Sequence, residues 1–308
     1  MESQTTTDRE VLVVDDGSTD GTASLAKDLV RAKGYADVRV IESKHGGPAH
    51  ARNAGLKEAS GPVVFFAECD CTYDPEYIAK ALEAFKQNPG ASAVCLTGAP
   101  MMTRKTVATR CIVIENKVQH RLLEQGKMKP FYAWVFRRET ISALGGYDER
   151  LTQAEDRDLF DRFRKAGYSL AWVPGVHWWH RRDQTMAEVA RESVRRGRAR
   201  VPFVLKRRLA RDAVKAVVPL WLFVAGIVMI PLLPVVGLVL AAGVTVFVVV
   251  RALRVVPIVW NDVPSRWWFA AYPFFALVRN FSSGIGYTAG LADVALGRRR
   301  TRQSTGAA

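Results

Sequence analysis

VLVVDDGSTDGT, Val11 to Thr22, is an apolar run that ends in two acids and breaks into a Gly/Ser/Thr turn. Four aliphatic residues without polar alternation predict a strand buried on both faces of a parallel sheet. Asp15 and Asp16 fall at its carboxyl end, where open α/β sheets hold their ligands. Gly17 and Gly21 let the chain turn, and Thr19 or Asp20 is the expected cap of a following helix. Leu25, Leu29 and Val30 give that helix an inward face.

Outward from this segment, strands and helices alternate to about residue 175. Val38 to Ile41 reads as a strand, Pro48 to Ala59 as a helix with proline in its first turn, and Val63 to Ala67 as another strand. A helix over Pro75 to Gln87 turns Ile78, Leu82 and Phe85 to one side, and a strand follows at Ala93 to Thr97. From Thr106 to Gln125 the pattern is helical, with Val107, Cys111, Ile114, Val118 and Leu122 along one stripe. Phe131 to Phe136 and Leu170 to Val173 complete the strands. Such alternation predicts a layered α/β domain with a mostly parallel sheet.

The chain has 308 residues and a formal net charge of +14. Twelve basic residues against four acidic ones lie between Arg181 and Lys215. No charged side chain occurs from Ala216 to Val250, a stretch too long for one span of about 20 residues and adequate for two short ones. Pro231 and Pro234 mark its turn, so a transmembrane hairpin is expected, roughly Ala213 to Ile230 and Leu232 to Val250. Lys206, Arg207, Arg208, Arg211 and Lys215 precede it and Arg251 and Arg254 follow, which puts both ends in the cytoplasm. Trp267 to Leu296 is aromatic and apolar but carries Arg279, Asn280 and Asp293. It reads as interfacial or re-entrant, with a third span as the alternative. The expected organisation is a catalytic α/β domain over 1–182, a basic juxtamembrane segment over 183–212, the hairpin over 213–251, and an interfacial or third membrane segment with a basic tail over 252–308. The polar first ten residues do not form a signal peptide. Cys69, Cys71, Cys95 and Cys111 lack metal-ligand spacing and read as reduced structural thiols. The basic stretch has no nucleic-acid-binding module behind it, so no nucleic-acid partner is expected.

Two further segments carry acids. FFAECDCTYDP (Phe65 to Pro75) places Glu68 and Asp70 at i and i+2, on the same side of an extended chain. Such a pair can hold a hard divalent cation that neutralises phosphate oxygens, although a solvated acidic turn reads the same way. In LGGYDERLTQAEDRDLFDRF (Leu144 to Phe163), Glu155 and Asp156 open a helix whose Leu159 and Phe163 face inward. Acids there suit the helix dipole, and a rigid carboxylate suits a general base.

VVDDGSTDGT, GGPAHARNAG (Gly46 to Gly55), FFAECDCTYDP and LGGYDERLTQAEDRDL, in this order, resemble the family 2 glycosyltransferases of GT-A fold over roughly residues 2 to 182. The resemblance implies a Rossmann-like domain that takes a nucleotide-sugar donor and Mg²⁺ or Mn²⁺. By it, Asp16 contacts the nucleotide base, Asp70 binds the metal on the diphosphate with Glu68 in the first position of the acid motif, and Asp156 is the catalytic base of an inverting displacement. Asp15, Arg52, Asn53 and Glu155 complete the donor site, and His180 is a further candidate for metal or phosphate, or a surface histidine beside Trp178 and Trp179. The acceptor implied is a lipid-linked or cell-envelope glycan at the cytoplasmic membrane face, and Arg181, Arg182, Arg195, Arg196 and Arg198 are expected mostly to meet anionic lipid headgroups. RESVRRG (Arg191 to Gly197) lacks the Gln and Trp of the processive synthases' Gln-X-X-Arg-Trp motif, which favours single-sugar transfer.

The resemblance also has a gap. ESQTTTDRE (Glu2 to Glu10) is similar to the end of the family's first helix and its loop, with the first strand and most of that helix absent. Two expectations follow: a start upstream with Met1 internal, or an inactive relative serving as a membrane-bound binding or scaffold protein. Either way the edge of the VLVV strand is expected to be exposed.

Overall fold

In the computed structural model, which describes residues 4–101, 106–125, 127, 135–181, 184–207, 210–254, 256–259 and 267–298, the opening aliphatic run is strand β1 (Val11–Asp15). It pairs in parallel with β2 (Val38–Glu42), Val11 opposite Val38 and Asp15 opposite Glu42. These two strands form a sheet of their own. The expectation that β1 is buried on both faces does not hold, since Val13 is 39% exposed. Among the described residues, β1 has a strand on one side only.

Helix α1 (Thr22–Lys33) departs from its expected packing too. Leu25 and Leu29 are 61% and 52% exposed, and no residue of the helix is buried. Val30 of the expected face is half-buried, and Lys27 bonds Glu42 of β2; at the ends, the Asp20 carboxylate accepts from Thr22 N at 3.1 Å, and Gly34 closes the helix in the left-handed conformation. The residue at the N-cap position is Gly21, with no side-chain cap.

The second sheet has the order β3-β6-β5-β7-β4, made of β3 (Val63–Phe65), β4 (Cys71–Tyr73), β5 (Ala91–Met101), β6 (Val135–Arg137) and β7 (Ser169–Arg181). The β3–β6, β5–β6 and β4–β7 ladders are antiparallel, which corrects the expected mostly parallel sheet. Between β5 and β6 the chain passes through α4 (Val107–Glu124) and re-enters between β3 and β5 in the opposite sense, so no parallel crossover is made there. The three-residue β4 is too short for a readable alternation.

Register explains how the sheet acquires two covered faces. Ala93 pairs with Phe136 and Val94 with Val135, and successive residues of a strand point to opposite sides. Ala93 and Phe136 pack with Ala49 of α2 (Pro48–Glu58), Ile141 of α5 (Arg138–Ala143), and Leu159, Phe160 and Phe163 of α6 (Glu155–Lys165). Val94 and Val135 pack with Tyr77, Ala81, Ala84 and Phe85 of α3 (Tyr77–Gln87). Of the expected α3 face, Phe85 is buried while Ile78 and Leu82 are half-buried. This three-layer arrangement is one compact unit, residues 1–98 and 129–180.

The second unit comprises residues 99–128 and 181–308. The expected boundary at 182 lies beside this division, but α4, expected in the first domain, belongs with the carboxyl-terminal helices. Its Cys111, Ile114 and Val118 are buried against Tyr272, Phe275 and Ala276 of α11 (Trp268–Ala295), while Val107 at the end of the predicted stripe is exposed. Helix α7 (Met186–Lys206) starts in a capping box of Thr185 and Glu188 and packs closely on α11. A Cβ at Gly197 would lie 2.6 Å from Ser283 O, one at Gly290 would lie 2.7 Å from Arg198 O, and one at Gly286 would collide with Val194 O.

Helices α8 (Ala210–Met229) and α9 (Pro234–Leu253) flank a turn at 230–233. The segment Pro234–Ile258, which takes in α9 and most of α10 (Val256–Val259), is long and apolar enough to cross a membrane, and Val217–Met229 is a shorter apolar stretch. The segment expected to be interfacial or re-entrant contains α11, one unbroken helix of 28 residues. Three arginines expected at lipid headgroups have acidic partners within the chain: Arg195 and Arg196 bind Glu192, and Arg198 binds Asp293 through both Nε and Nη2. Arg182 lies outside the described residues. The four cysteines are free thiols, and burial pushes Cys95 up to about 12.

Candidate active site

The acids that end β1 are engaged by the turns around them. Asp15 is buried and its Oδ2 accepts from Ser18 N at 2.9 Å. The Ser18 side chain and amide hold its carboxyl below the ordinary range. Asp16 accepts from Gly46 N at 2.9 Å and Gly47 N at 2.8 Å, and His45 Nδ1 lies 3.0 Å from its Oδ2. This clamp seats the loop that opens α2. The tight approach requires Gly17, at φ +72°, where a Cβ would lie 2.7 Å from His45 N.

Proline at the start of α2 fixes the helix entry, and side chains of its first two turns reach three other segments. His50 joins Ser43 Oγ through Nε2 and Glu149 Oε2 through Nδ1, each at 2.9 Å. Asn53 donates to Tyr147 O at 2.9 Å and Glu149 Oε1 at 2.8 Å, and accepts from Tyr147 N at 2.8 Å. Asn53 and His50 hold the Glu149 carboxyl below its usual range. Arg52 sends Nη1 to Glu155 Oε1 at 2.8 Å and Nη2 to Glu68 Oε1 at 3.1 Å, with its guanidinium 5.2 Å from the Tyr147 ring centre. Burial works against the Arg52 charge, but Tyr147, Glu155 and Glu68 outweigh it and the pKa lies above the ordinary value.

The acid turn after β3 is set by a local bond, Glu68 N to Tyr73 Oη at 2.9 Å. Glu68, Asp70 and Cys71 offer ligand atoms within 4.8 Å of one another. The Cys71 Sγ lies 3.6 Å from Asp70 Oδ1 and 3.7 Å from Glu68 Oε2. Burial, with the two carboxylates, pushes its thiol well above the ordinary range. Two hard carboxylates suit Mg²⁺ or Mn²⁺, and the protonated Cys71 sulfur beside them does not choose between the two. One Glu68 oxygen is held by Arg52, and the other faces the Cys71 thiol beside Asp70. His180 stands opposite Cys71 in the β4–β7 ladder; its side chain lies outside the described residues.

Glu155 and Asp156 open α6 as expected. The residue before them, Ala154, has φ +63° and is the one positive-φ non-glycine residue among those described. A left-handed non-glycine residue stores strain, and it stands here at the entry to the acidic pair. Farther along α6, Arg162 binds the fully buried Asp158 at 2.9 Å and donates to Leu144 O and Gly146 O at 2.6 and 2.7 Å. That clamp fixes the Gly145–Gly146 turn against the last turn of the helix.

The structure thus brings Arg52, Glu68, Asp70 and Glu155 together, with Asp156 next to Glu155 in the chain. Asn53 is taken up by the 147–149 loop, and Asp16 by the loop before α2. Sequence reasoning missed Tyr147, Glu149, His50, Cys71 and Arg162. All five stand inside the quoted motifs; four have no spacing to mark them, and Arg162 carried only the generic signal of an i, i+4 pair with Asp158.

Residues 1–145 match the family described as Glycosyl transferase family 2, a match that ends before Glu155 and Asp156. Glycosyltransferase AglE of Haloferax volcanii is 24% identical over 224 residues, 70% of this chain and 70% of AglE. Poly-beta-1,6-N-acetyl-D-glucosamine synthase of Staphylococcus aureus is 24% identical over 195 residues, 61% of this chain and 46% of the synthase. Among solved structures, the mannosyltransferase PcManGT from Pyrobaculum calidifontis, in complex with GDP-Man and Mn²⁺, superposes with a TM-score of 0.54 at 18% identity, covering 97% of this chain and 81% of that one. At that identity the likeness bears on the fold, which is GT-A.

Proposed function

We propose that the chain, a glycosyltransferase whose residues 1–145 match Glycosyl transferase family 2, moves a sugar from a nucleotide-sugar donor to an acceptor hydroxyl in one inverting displacement. The observation that carries this reading is the reach of one side chain: Arg52 touches both Glu68 of the acid turn and Glu155 at the head of α6. This supports a reading in which the acid turn and the head of α6, both bound by Arg52 of α2, serve one site.

Asp156 removes the proton from the acceptor hydroxyl, whose oxygen bonds to the anomeric carbon as the carbon–oxygen bond to the diphosphate breaks. The nucleoside diphosphate leaves with the bonding pair, and no covalent enzyme intermediate forms. A divalent cation on Asp70 and Glu68 would supply charge neutralisation to the departing diphosphate. Asp15 and Asp16 shape the turn at the nucleotide end, and Asn53 and Arg52 fix the loops beside it. Mn²⁺ accompanies GDP-Man in PcManGT, which makes Mn²⁺ the first metal to test.

For the membrane, we read α8 and α9 as a hairpin with both basic ends cytoplasmic, on the same side as the catalytic unit. Support comes from Val228, Leu232, Val235, Val239 and Phe247, all exposed on these helices and the turn between them, an apolar surface that water does not favour and lipid does. A lipid-linked or cell-envelope acceptor suits an enzyme so anchored, and single-sugar transfer suits the missing Gln and Trp.

The test is a panel of UDP-, GDP- and dTDP-sugars assayed with Mn²⁺ on the full chain in detergent, beside Asp156→Asn. Loss of a proton acceptor should cost on the order of 10²- to 10⁴-fold in rate, with donor binding kept. Transfer at the wild-type rate in Asp156→Asn removes Asp156 from the base role, and no turnover of any donor would leave a non-catalytic membrane-bound relative.

A further inference from the structure

Arg52 was expected among the donor-binding residues, yet its guanidinium is already committed. One nitrogen meets Glu155 at 2.8 Å and another meets Glu68 at 3.1 Å, from elements 103 and 16 residues away in sequence. The Arg52 and Glu155 side chains are only 16% and 12% exposed, and the plane of the cation rests on the buried Tyr147 ring. A planar fork with two carboxylate partners and an aromatic floor has a fixed position, in a way a flexible ammonium does not. Both partners sit beside the residues that do the chemistry. Glu155 immediately precedes Asp156, and Glu68 stands two residues before Asp70.

We infer that Arg52 is a positioning residue that sets the distance between the general base and the cation site, by tying the first turn of α6 to the acid turn after β3. This rests on the glycosyltransferase reading above. With two carboxylates against it, the guanidinium has no surplus charge to draw in a diphosphate. Its effect is exerted through Glu155 and Glu68. Displacement of the base by even an ångström relative to the anomeric carbon slows transfer, while the donor is still bound by the rest of the site.

Two measurements on the full chain in detergent test this, with Arg52→Lys, Glu155→Gln and the double variant. The first needs no substrate: hydrogen exchange followed by mass spectrometry over 66–73 and 153–160. Arg52→Lys should speed exchange in both segments together while the strands β5 and β6 keep their protection. If neither segment responds, or only one, Arg52 does not tie them and the inference falls. The second is nucleoside diphosphate release with whichever of GDP-mannose and the UDP- and dTDP-sugars is turned over. Arg52→Lys should lower kcat by about a hundredfold with KM for the donor changed less than about threefold, the pattern of an interaction that matters in the transition state. The double variant should lose no more than the worse single one, because both changes cut the same tie. A raised KM with kcat kept would make Arg52 a donor ligand, and additive losses would make the two residues independent; either overturns the proposal. Asp156→Asn is assayed in parallel. If it turns over like wild type, the base assignment fails by itself, and the exchange result still decides whether Arg52 joins the two segments.

Discussion

Replacing Asn53 by alanine removes one amide group that replaces a piece of sheet. Its oxygen accepts from Tyr147 N at 2.8 Å and its nitrogen donates to Tyr147 O at 2.9 Å, so the side chain pairs with that residue as a neighbouring strand would. Tyr147 is 3% exposed, and water cannot easily take over. The preceding turn is moulded around the same group: Gly146 sits at φ +67°, where a Cβ would lie 2.5 Å from Asn53 Oδ1. Two backbone groups left unsatisfied at about 1 to 3 kcal/mol each predict that Asn53→Ala loosens the 145–149 loop by about 2 to 6 kcal/mol. At 1.4 kcal/mol per factor of ten, the Tyr147 amide should exchange between roughly thirty and roughly twenty thousand times faster. The assay is amide exchange on the full chain in detergent, with the β5–β6 amides as internal reference. Asn53→Asp separates the two bonds: it keeps an acceptor for Tyr147 N but turns a carboxylate toward Tyr147 O and Glu149. Its Tyr147 amide should therefore stay better protected than in the alanine variant while the loop as a whole loosens. A Tyr147 amide that exchanges at the wild-type rate in Asn53→Ala would refute the reasoning.

Asp70→Ala should abolish Mn²⁺-dependent binding of the donor nucleotide, read by titration with GDP and UDP with and without Mn²⁺; nucleotide affinity that Mn²⁺ raises as much as in wild type removes Asp70 from the cation site. Glu10 is held at about 2, well below the ordinary glutamate range, by the Ser60 hydroxyl and the Ser60 and Gly61 amides. A depressed carboxyl stabilises the fold fully above its ordinary pKa and loses that contribution as pH falls toward about 2, so Glu10→Gln should flatten the acid side of the stability profile measured by thermal unfolding. Gly286→Val should drive a side chain into Val194 O at the α7–α11 crossing and cost about 1 to 3 kcal/mol or more, seen as a lowered melting temperature in detergent, whereas Gly90→Ala, with open space around it, should leave the melting temperature unchanged.

Local patterns carried the order of strands and helices well, because the aliphatic runs at Val11, Val38 and Val63 and the proline before Ala49 act over a few residues. Strand direction was not legible in the same way. The reversed course of β6 depends on where the chain returns after α4, and nothing within Val135–Arg137 records that. Helix α1 shows the converse error: Leu25 and Leu29 have helical spacing but remain exposed, since spacing says which residues share a face and not whether anything covers it. The acids of the site were found by type and position. Their partners were not, because Arg52 meets carboxylates 16 and 103 residues away and Asn53 meets a loop 94 to 96 residues away. Pairing over such separations leaves no period in the sequence.

Glutamate at position 68, in place of the aspartate that resemblance would put there, acquires a physical reason from the same geometry. Its carboxylate has two duties on opposite sides: Oε1 takes the Arg52 guanidinium at 3.1 Å, and Oε2 faces Cys71 Sγ at 3.7 Å, within the group that Asp70 completes. Its backbone is pinned at the same time by the Tyr73 hydroxyl, so the turn cannot slide toward either partner. An aspartate, one methylene shorter on the same pinned backbone, would have to give up one contact to keep the other. Losing the arginine would leave a guanidinium with one carboxylate and free the head of α6. Losing the acid cluster would leave Asp70 and Cys71 without their third donor. The longer arm is therefore what lets one acid join the Asp70–Cys71 cluster and hold Arg52, which reaches the head of α6, at once.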